Sequence, residues 1–360
     1  MLIGLVGKPS CGKSTFFKAT TLADVLIASY PFATIKPNHG VGYVKIDCMC
    51  KDRGTQCNPQ KGYCVDGKRF VPVDLLDVAG LVEGASEGKG LGNQFLAQIR
   101  ECDAILEVIR AFEKEGIPHV EKGINPARDI EIVKTELIMK DLETVEKALP
   151  KLEKEEKTGD KKTIKKLNLL KMLRENLSAQ KQVLKMNLGT EDFSLIKEFQ
   201  LLTAKPILYL LNIRGDDASQ SSFLKETRES FSNINYISLD LKFEEELSEM
   251  SEKEKIELGL LSKLDQLIVA CYNILDLITF YTVAGGNEVR AWTLEASANI
   301  LRAAEKVHSD FKEKFIRGEQ ISWEKLVESS AWTKAREKGW IQTVGKEYVV
   351  RNGDVIEFKI

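Results

Sequence analysis

Gly7-Lys-Pro-Ser-Cys-Gly-Lys-Ser-Thr15 follows directly on the apolar run Leu2–Val6. Two glycines five positions apart, with Lys-Ser after the second, suit the binding of a chain of phosphates. The glycines let the backbone curl so that successive N–H groups face one anion, and a helix opening at the lysine adds its positive end. Gly7, Lys8, Pro9, Ser10, Cys11, Gly12, Lys13, Ser14 and Thr15 are expected to wrap the phosphates. Lys13 is expected to reach the β- and γ-phosphates, and the Ser14 hydroxyl to hold Mg²⁺. The strand-like run before the loop and the helix-like FFKATTLADVLI after it separate it from a plain glycine turn.

Two further motifs follow in order. Asp77-Val-Ala-Gly80 ends the strand-like VPVDLLD, which puts Asp77 behind Mg²⁺ through water and the Gly80 N–H at the γ-phosphate. Thr34, in YPFATIKPN between the two, is a third Mg²⁺ candidate, and Asn212 closes the apolar run PILYLLN. Alone each is weak. In this order they describe a Mg²⁺-dependent purine nucleotide site.

The elements that must position these residues predict an α/β fold, a doubly wound P-loop sheet over 1–129 and 200–274. From about 130 to 199 the pattern turns helical. Ile138, Leu142, Val145, Leu149 and Leu152 repeat at alternating spacings of four and three, the seam of a coiled coil. Residues 157–161 break the run, and Leu170, Leu173, Leu177 and Leu184 resume it. An inserted antiparallel hairpin of two helices, each roughly 25 residues and about 38 Å long, is expected, with a plain helical subdomain as the alternative. Residues 275–360 hold all four tryptophans and read as two strands about Gly285-Gly286, a helix from about Ala296, and a hairpin on Asn352-Gly353. That is the order of a small β-grasp domain.

The chain has 360 residues, 43% hydrophobic and 29% charged, with net charge −2. It can bury more than one core. The charge excludes general affinity for nucleic-acid backbone, so such contact would need a local patch. No apolar run approaches the ~20 residues of a membrane span. The opening MLIGLVGKPS leaves no room for a leader, so a cytoplasmic location is expected. Of seven cysteines, Cys48, Cys50, Cys57 and Cys64 crowd into one insertion at 48–64. Four thiolates there suit a closed, structural Zn²⁺ site. Disulfides and reduced structural cysteines are the alternatives. Cys11, inside the phosphate loop, reads as a packing residue.

GKPSCGKSTFF, YPFATIKPN, DVAGLVEGASEGKGLGNQFL, EVRAWT and GDVIEF together resemble the Obg-like ATPases, the YchF subfamily of translation-factor-class P-loop GTPases. The likeness spans nearly the whole chain. It implies a projecting helical hairpin, a C-terminal TGS domain and contact with RNA or the ribosome. Leu81 stands where regulatory GTPases carry the water-orienting glutamine; the family is similar in this, which implies slow hydrolysis. His119, in EKEGIPHVEKG, matches a family histidine proposed to be catalytic; a surface histidine is the alternative. The family reader of the base resembles Asn212-Ile213-Arg214-Gly215, with Ser238 and Leu239 approaching from the next strand. Gly215 occupies the position of the carboxylate that binds guanine, so ATP is favoured over GTP. Three functions follow: a slow ATPase acting at the ribosome, a nucleotide-gated ribosome- or RNA-binding switch with negligible hydrolysis, or a true GTPase. A zinc-dependent nucleic-acid-binding module is a fourth.

Overall fold

The computed structural model describes residues 2–25, 39–52, 54, 63–65, 67–78, 91–113, 123–156, 159–215, 225, 236–284 and 288–360. The chain divides into two compact units, 1–41 with 74–264, and 42–73 with 265–360. The main elements in chain order begin with β1 (Leu2–Val6), α1 (Lys13–Val25), β2 (His39–Asp47), α2 (Met49–Asp52), β3 (Tyr63–Val65) and β4 (Lys68–Asp77). Then come α3 (Leu91–Glu101), β5 (Ala104–Arg110), α4 (Pro126–Glu155), α5 (Lys161–Ser178), β6 (Ile207–Asn212), β7 (Tyr236–Leu239), α6 (Leu241–Glu249) and α7 (Leu264–Asn273). The chain closes with β8 (Leu277–Ala284), β9 (Glu288–Glu295), α8 (Ile300–Val307), β10 (Arg317–Ser322), α9 (Trp323–Ser329), α10 (Trp332–Glu337), β11 (Gln342–Val344) and β12 (Asp354–Lys359).

In the first unit the end of β4 joins β1, β5, β6 and β7 in that order, and every pairing is parallel. A central parallel strand is covered on both faces and therefore reads as a continuous apolar run. β5, Ala-Ile-Leu-Glu-Val-Ile-Arg, is such a strand, with all seven residues buried. Leu96 and Ile99 of α3 and Val133 and Leu137 of α4 pack with Val6, Leu76 and Ile105. Strand order reverses at β1, which has β4 on one side and β5 on the other; in open α/β sheets the crevice at such a switch point receives the ligand.

α4 starts cleanly: Pro126 takes the first turn and the Asn125 side chain accepts the Arg128 N–H at 2.9 Å. Its first half packs under the sheet and its second half forms the hairpin. There Ile138, Val145, Leu149 and Leu152 bury against Leu167, Leu170, Leu173 and Leu177 of α5. The helices are unequal, 30 and 18 residues. α5 stops at Ser178, so Leu184 lies beyond it and is exposed rather than part of the seam. Asp141, fully buried, accepts the N–H groups of Leu202 and Thr203 and the Thr203 hydroxyl, all at 2.7 Å, and so ties the hairpin to the chain leading into β6. No described helix is long and apolar enough to cross a membrane.

The second unit holds a five-stranded sheet, β11-β10-β12-β8-β9. β8 and β9 form an antiparallel hairpin, and β8 runs parallel to β12 at the centre. Ile300, Ala303 and Ala304 of α8 pack on Phe280, Trp292 and Ile356. Central parallel strands, flanking antiparallel ones and a helix on one face make the β-grasp arrangement. The hairpin expected on Asn352-Gly353 is absent: β11 and β12 each pair with β10, which lies between them. The Asn352 side chain instead accepts the Thr279 N–H at 2.9 Å. Residues 42–73, which contain the 48–64 insertion expected in the nucleotide unit, group with the C-terminal sheet unit.

Candidate nucleotide-binding site

At the end of β1 the chain turns sharply at Gly7, where a Cβ would meet the Val108 carbonyl at 2.3 Å. Gly12 has φ +111°, and a Cβ there would lie 2.3 Å from the Asn212 side-chain nitrogen. Both positions therefore exclude larger residues, as a loop that presents its backbone to phosphate requires. α1 opens at Lys13, whose ammonium donates to the carbonyls of Gly7 at 2.9 Å and Lys8 at 3.0 Å. The loop thus encircles the Lys13 ammonium, the cation expected to meet the phosphate oxygens. Ser14 is exposed beside it.

Lys8 points elsewhere. Its ammonium pairs with Asp129 in the first turn of α4 at 3.0 Å, with both side chains buried, which anchors the loop from beneath. Glu107 on β5 is buried at 2% exposure; burial, then the charges of Asp129 and Glu131, hold its carboxyl well above the usual range. Cys11 is buried, and burial pushes its thiol up, away from the reactive thiolate.

Asp77 ends β4 opposite Leu5 of β1. Burial raises its carboxyl, and the Lys13 charge opposes that rise. A hydroxyl at Ser14 and a carboxylate at Asp77 form an oxygen donor set that fits Mg²⁺.

A cavity of about 430 Å³ opens on the loop. Its lining comes from the ends of parallel strands and just past them: Ser10 and Gly12 to Thr15 after β1, Phe112 after β5, Asn212 at the end of β6 with Ile213 and Arg214 after it, and Asp240 and Lys242 after β7. Asn212 is 5% exposed and serves as a brace. Its amide donates to the Cys11 carbonyl at 2.9 Å and accepts the Leu241 N–H at 3.2 Å. Asp240 caps α6, accepting the N–H groups of Lys242 and Phe243 at 3.0 Å and that of Gly215 at 2.7 Å. Three of its roughly four acceptor sites are therefore committed to backbone.

Among the expected base contacts, Ile213 lines the cavity, whereas Ser238 and Leu239 do not; Leu239 is buried opposite Asn212 in the sheet. Asp240 and Lys242 take that place. Phe112, Asp240 and Lys242 carried no motif in the sequence, although Asp240 at the head of a helical run has the signature of a cap. Pro9 belongs to the loop but not to the cavity wall. Thr34, Gly80, Leu81, His119 and Cys57 lie outside the described residues.

In the second unit the sulfurs of Cys48, Cys50 and Cys64 lie within 4.8 Å of one another, and none of the described cysteines forms a disulfide.

The geometry agrees with the comparisons to known proteins. A family described as "50S ribosome-binding GTPase" matches residues 2–144, and the YchF-GTPase C-terminal family, described as a protein of unknown function (DUF933), matches residues 277–360. The chain is 40% identical to the "Ribosome-binding ATPase YchF" of Bacillus subtilis, over 99% of this chain and 98% of that one. The chain belongs to the YchF family. The protein of that name from Escherichia coli O157:H7 is 38% identical, with the same coverage. The solved structure of the Schizosaccharomyces pombe YchF GTPase superposes with a TM-score of 0.76 at 32% identity, covering 100% of this chain and 97% of that one. The P-loop α/β fold with a C-terminal sheet domain is therefore that of YchF.

Proposed function

We propose that this YchF protein binds a purine nucleoside triphosphate with Mg²⁺, favours ATP, hydrolyses it slowly and acts at the ribosome in the cytoplasm. The observation that carries the reading is the phosphate loop, with the Lys13 ammonium among its carbonyls at the mouth of the cavity. Lys13 and the loop N–H groups stabilise charge on the transferred phosphoryl. Ser14 and Asp77, with Thr34, hold Mg²⁺, which when bound neutralises charge on the phosphate oxygens. The Gly80 N–H meets the γ-phosphate, and His119 orients water in place of the glutamine that Leu81 replaces.

Preference for adenine rests on what a guanine would need. Its N1–H and 2-amino group ask for a carboxylate acceptor, and Gly215 stands at that position. The one described carboxylate lining the cavity, Asp240, is committed to three backbone N–H groups. Phe112 supplies an aromatic surface, held by the Arg110 guanidinium 4.9 Å over its ring. The relatives' names divide on the nucleotide, ATPase in the bacteria and GTPase in fission yeast. The bacterial names also carry ribosome binding, which we extend to this chain. No step of hydrolysis is assigned to Zn²⁺ at the cysteine cluster.

The test is phosphate release from ATP and GTP with Mg²⁺, with and without ribosomes, for the wild type and Lys13→Ala. Slow turnover that ribosomes accelerate and Lys13→Ala abolishes is expected. Nucleotide-dependent ribosome binding with no phosphate release in any condition would instead establish a pure switch, the reading that Leu81 also favours.

A further inference from the structure

The second unit contains a group of thiols that nucleotide chemistry does not use. We propose that Cys48, Cys50 and Cys64 bind one Zn²⁺, which fastens the segment around α2 and β3 into the core of the C-terminal unit. Cys48 and Cys50 flank the start of α2, and Cys64 sits in the middle of β3. The Cys48 N–H donates to the Gly67 carbonyl at 2.8 Å, which holds the two stretches together without metal.

Zinc–thiolate bonds of about 2.3 Å in a tetrahedron set the sulfurs about 3.8 Å apart. Here Cys50 and Cys64 sulfurs are 3.5 Å apart, and all three lie within 4.8 Å. Adjustments of about 1 Å or less complete the geometry. A disulfide would bring one pair to about 2.05 Å and leave the third sulfur without a role.

The surroundings fit a closed structural site. Cys48 and Cys50 are 1% and 3% exposed and pack with Ile321, Leu326, Ala335 and Val355, beside Trp323 and Trp332. Such a shell excludes water and competing ligands. Trp332 packs on the cluster, and its indole N–H is buried with no hydrogen-bond partner among the described residues. Arg69, 1% exposed, is the register partner of Cys64, so both side chains leave the same face of the β3–β4 ladder. Its guanidinium donates to the Ala291 carbonyl at 3.1 Å, and Ala291 belongs to the same cluster. A buried positive charge on this face would offset the negative charge of zinc bound by three thiolates. Each thiol gives up its proton to solvent as it binds, so occupancy falls as pH falls. Cys57, between these ligands in sequence, lies outside the described residues.

The full chain is purified under reducing conditions without chelator, and its zinc is measured by plasma mass spectrometry. One zinc per chain is expected, released when the thiols are modified. Cobalt added to the metal-free chain is expected to give thiolate-to-cobalt charge-transfer absorption and the d–d bands of a tetrahedral site. Cys50→Ser and Cys64→Ser should each lose the metal, and Cys271→Ser, outside the cluster, should keep it. The wild-type cobalt spectrum decides the matter if a serine variant fails to fold. Zinc far below one per chain with no charge-transfer band overturns the proposal. So does a chain two hydrogens lighter, with a Cys50–Cys64 disulfide and no metal.

Discussion

Replacing Asn212 by alanine separates a brace from a base reader. The amide holds two groups from different loops, the Cys11 carbonyl and the Leu241 N–H, and Cys11, Leu241 and Asn212 are 2%, 0% and 5% exposed. Truncation leaves a buried acceptor and a buried donor unmatched at about 1–3 kcal/mol each. The neighbouring cavity admits water to part of the gap, so a total near the lower end, about 2–4 kcal/mol, is expected. Urea unfolding followed by far-ultraviolet circular dichroism measures it. Because the lost contact steadies the phosphate loop, ATP and GTP should weaken together, by about tenfold or more, equivalent to at least 1.4 kcal/mol. Asn212→Asp keeps an acceptor for Leu241 N–H but sets a carboxylate against the Cys11 carbonyl, so it should weaken binding as well. Stability within about 0.5 kcal/mol of the wild type, or loss of one nucleotide only, would refute the brace.

Asp141→Ala removes the acceptor of three buried hydrogen bonds and strands the N–H groups of Leu202 and Thr203; a loss of about 3–5 kcal/mol in urea unfolding is expected, with nucleotide affinity little changed. Glu107 has a raised folded-state pKa, so the folded chain keeps a proton that the unfolded chain releases. Its contribution to stability is complete below the ordinary glutamate pKa and fades as pH rises toward the folded value. Glu107→Gln, which mimics the protonated form, should therefore gain stability over the wild type progressively from pH 5 to pH 8, measured by urea midpoints across that range.

The phosphate loop was legible because its chemistry is local: the glycines, the lysine and the flanking strand and helix all fall within 25 residues. The positions of Asp77 and Asn212 at the ends of apolar strands of the parallel sheet were legible, but Asn212, expected at the base, commits its amide to Cys11 and Leu241. Phe112 and Lys242 were not legible, since they reach the cavity only through the order of strands. Ser238 and Leu239 lie two residues and one residue before the cavity-lining Asp240, because β7 continues through Leu239 before the chain turns into α6. Leu184 fitted the heptad arithmetic, but the helix ends six residues earlier. The Asn352-Gly353 dipeptide makes a turn without a hairpin, because β10 inserts between the flanking strands. The placement of the cysteine segment with the C-terminal sheet likewise rests on pairing across more than 200 residues, as between Arg69 and Ala291.

The central claim, a base reader altered at Gly215, is tested most directly by equilibrium titration of the wild type and Gly215→Asp with ATP and GTP in Mg²⁺. Gly215 has φ +54° and no atom of the described residues within 4 Å of where a Cβ would lie, and Asp tolerates that backbone better than most residues. The account predicts that ATP binds the wild type at least tenfold more tightly, about 1.4 kcal/mol, and that the aspartate restores GTP. Tighter binding of GTP by the wild type would contradict it.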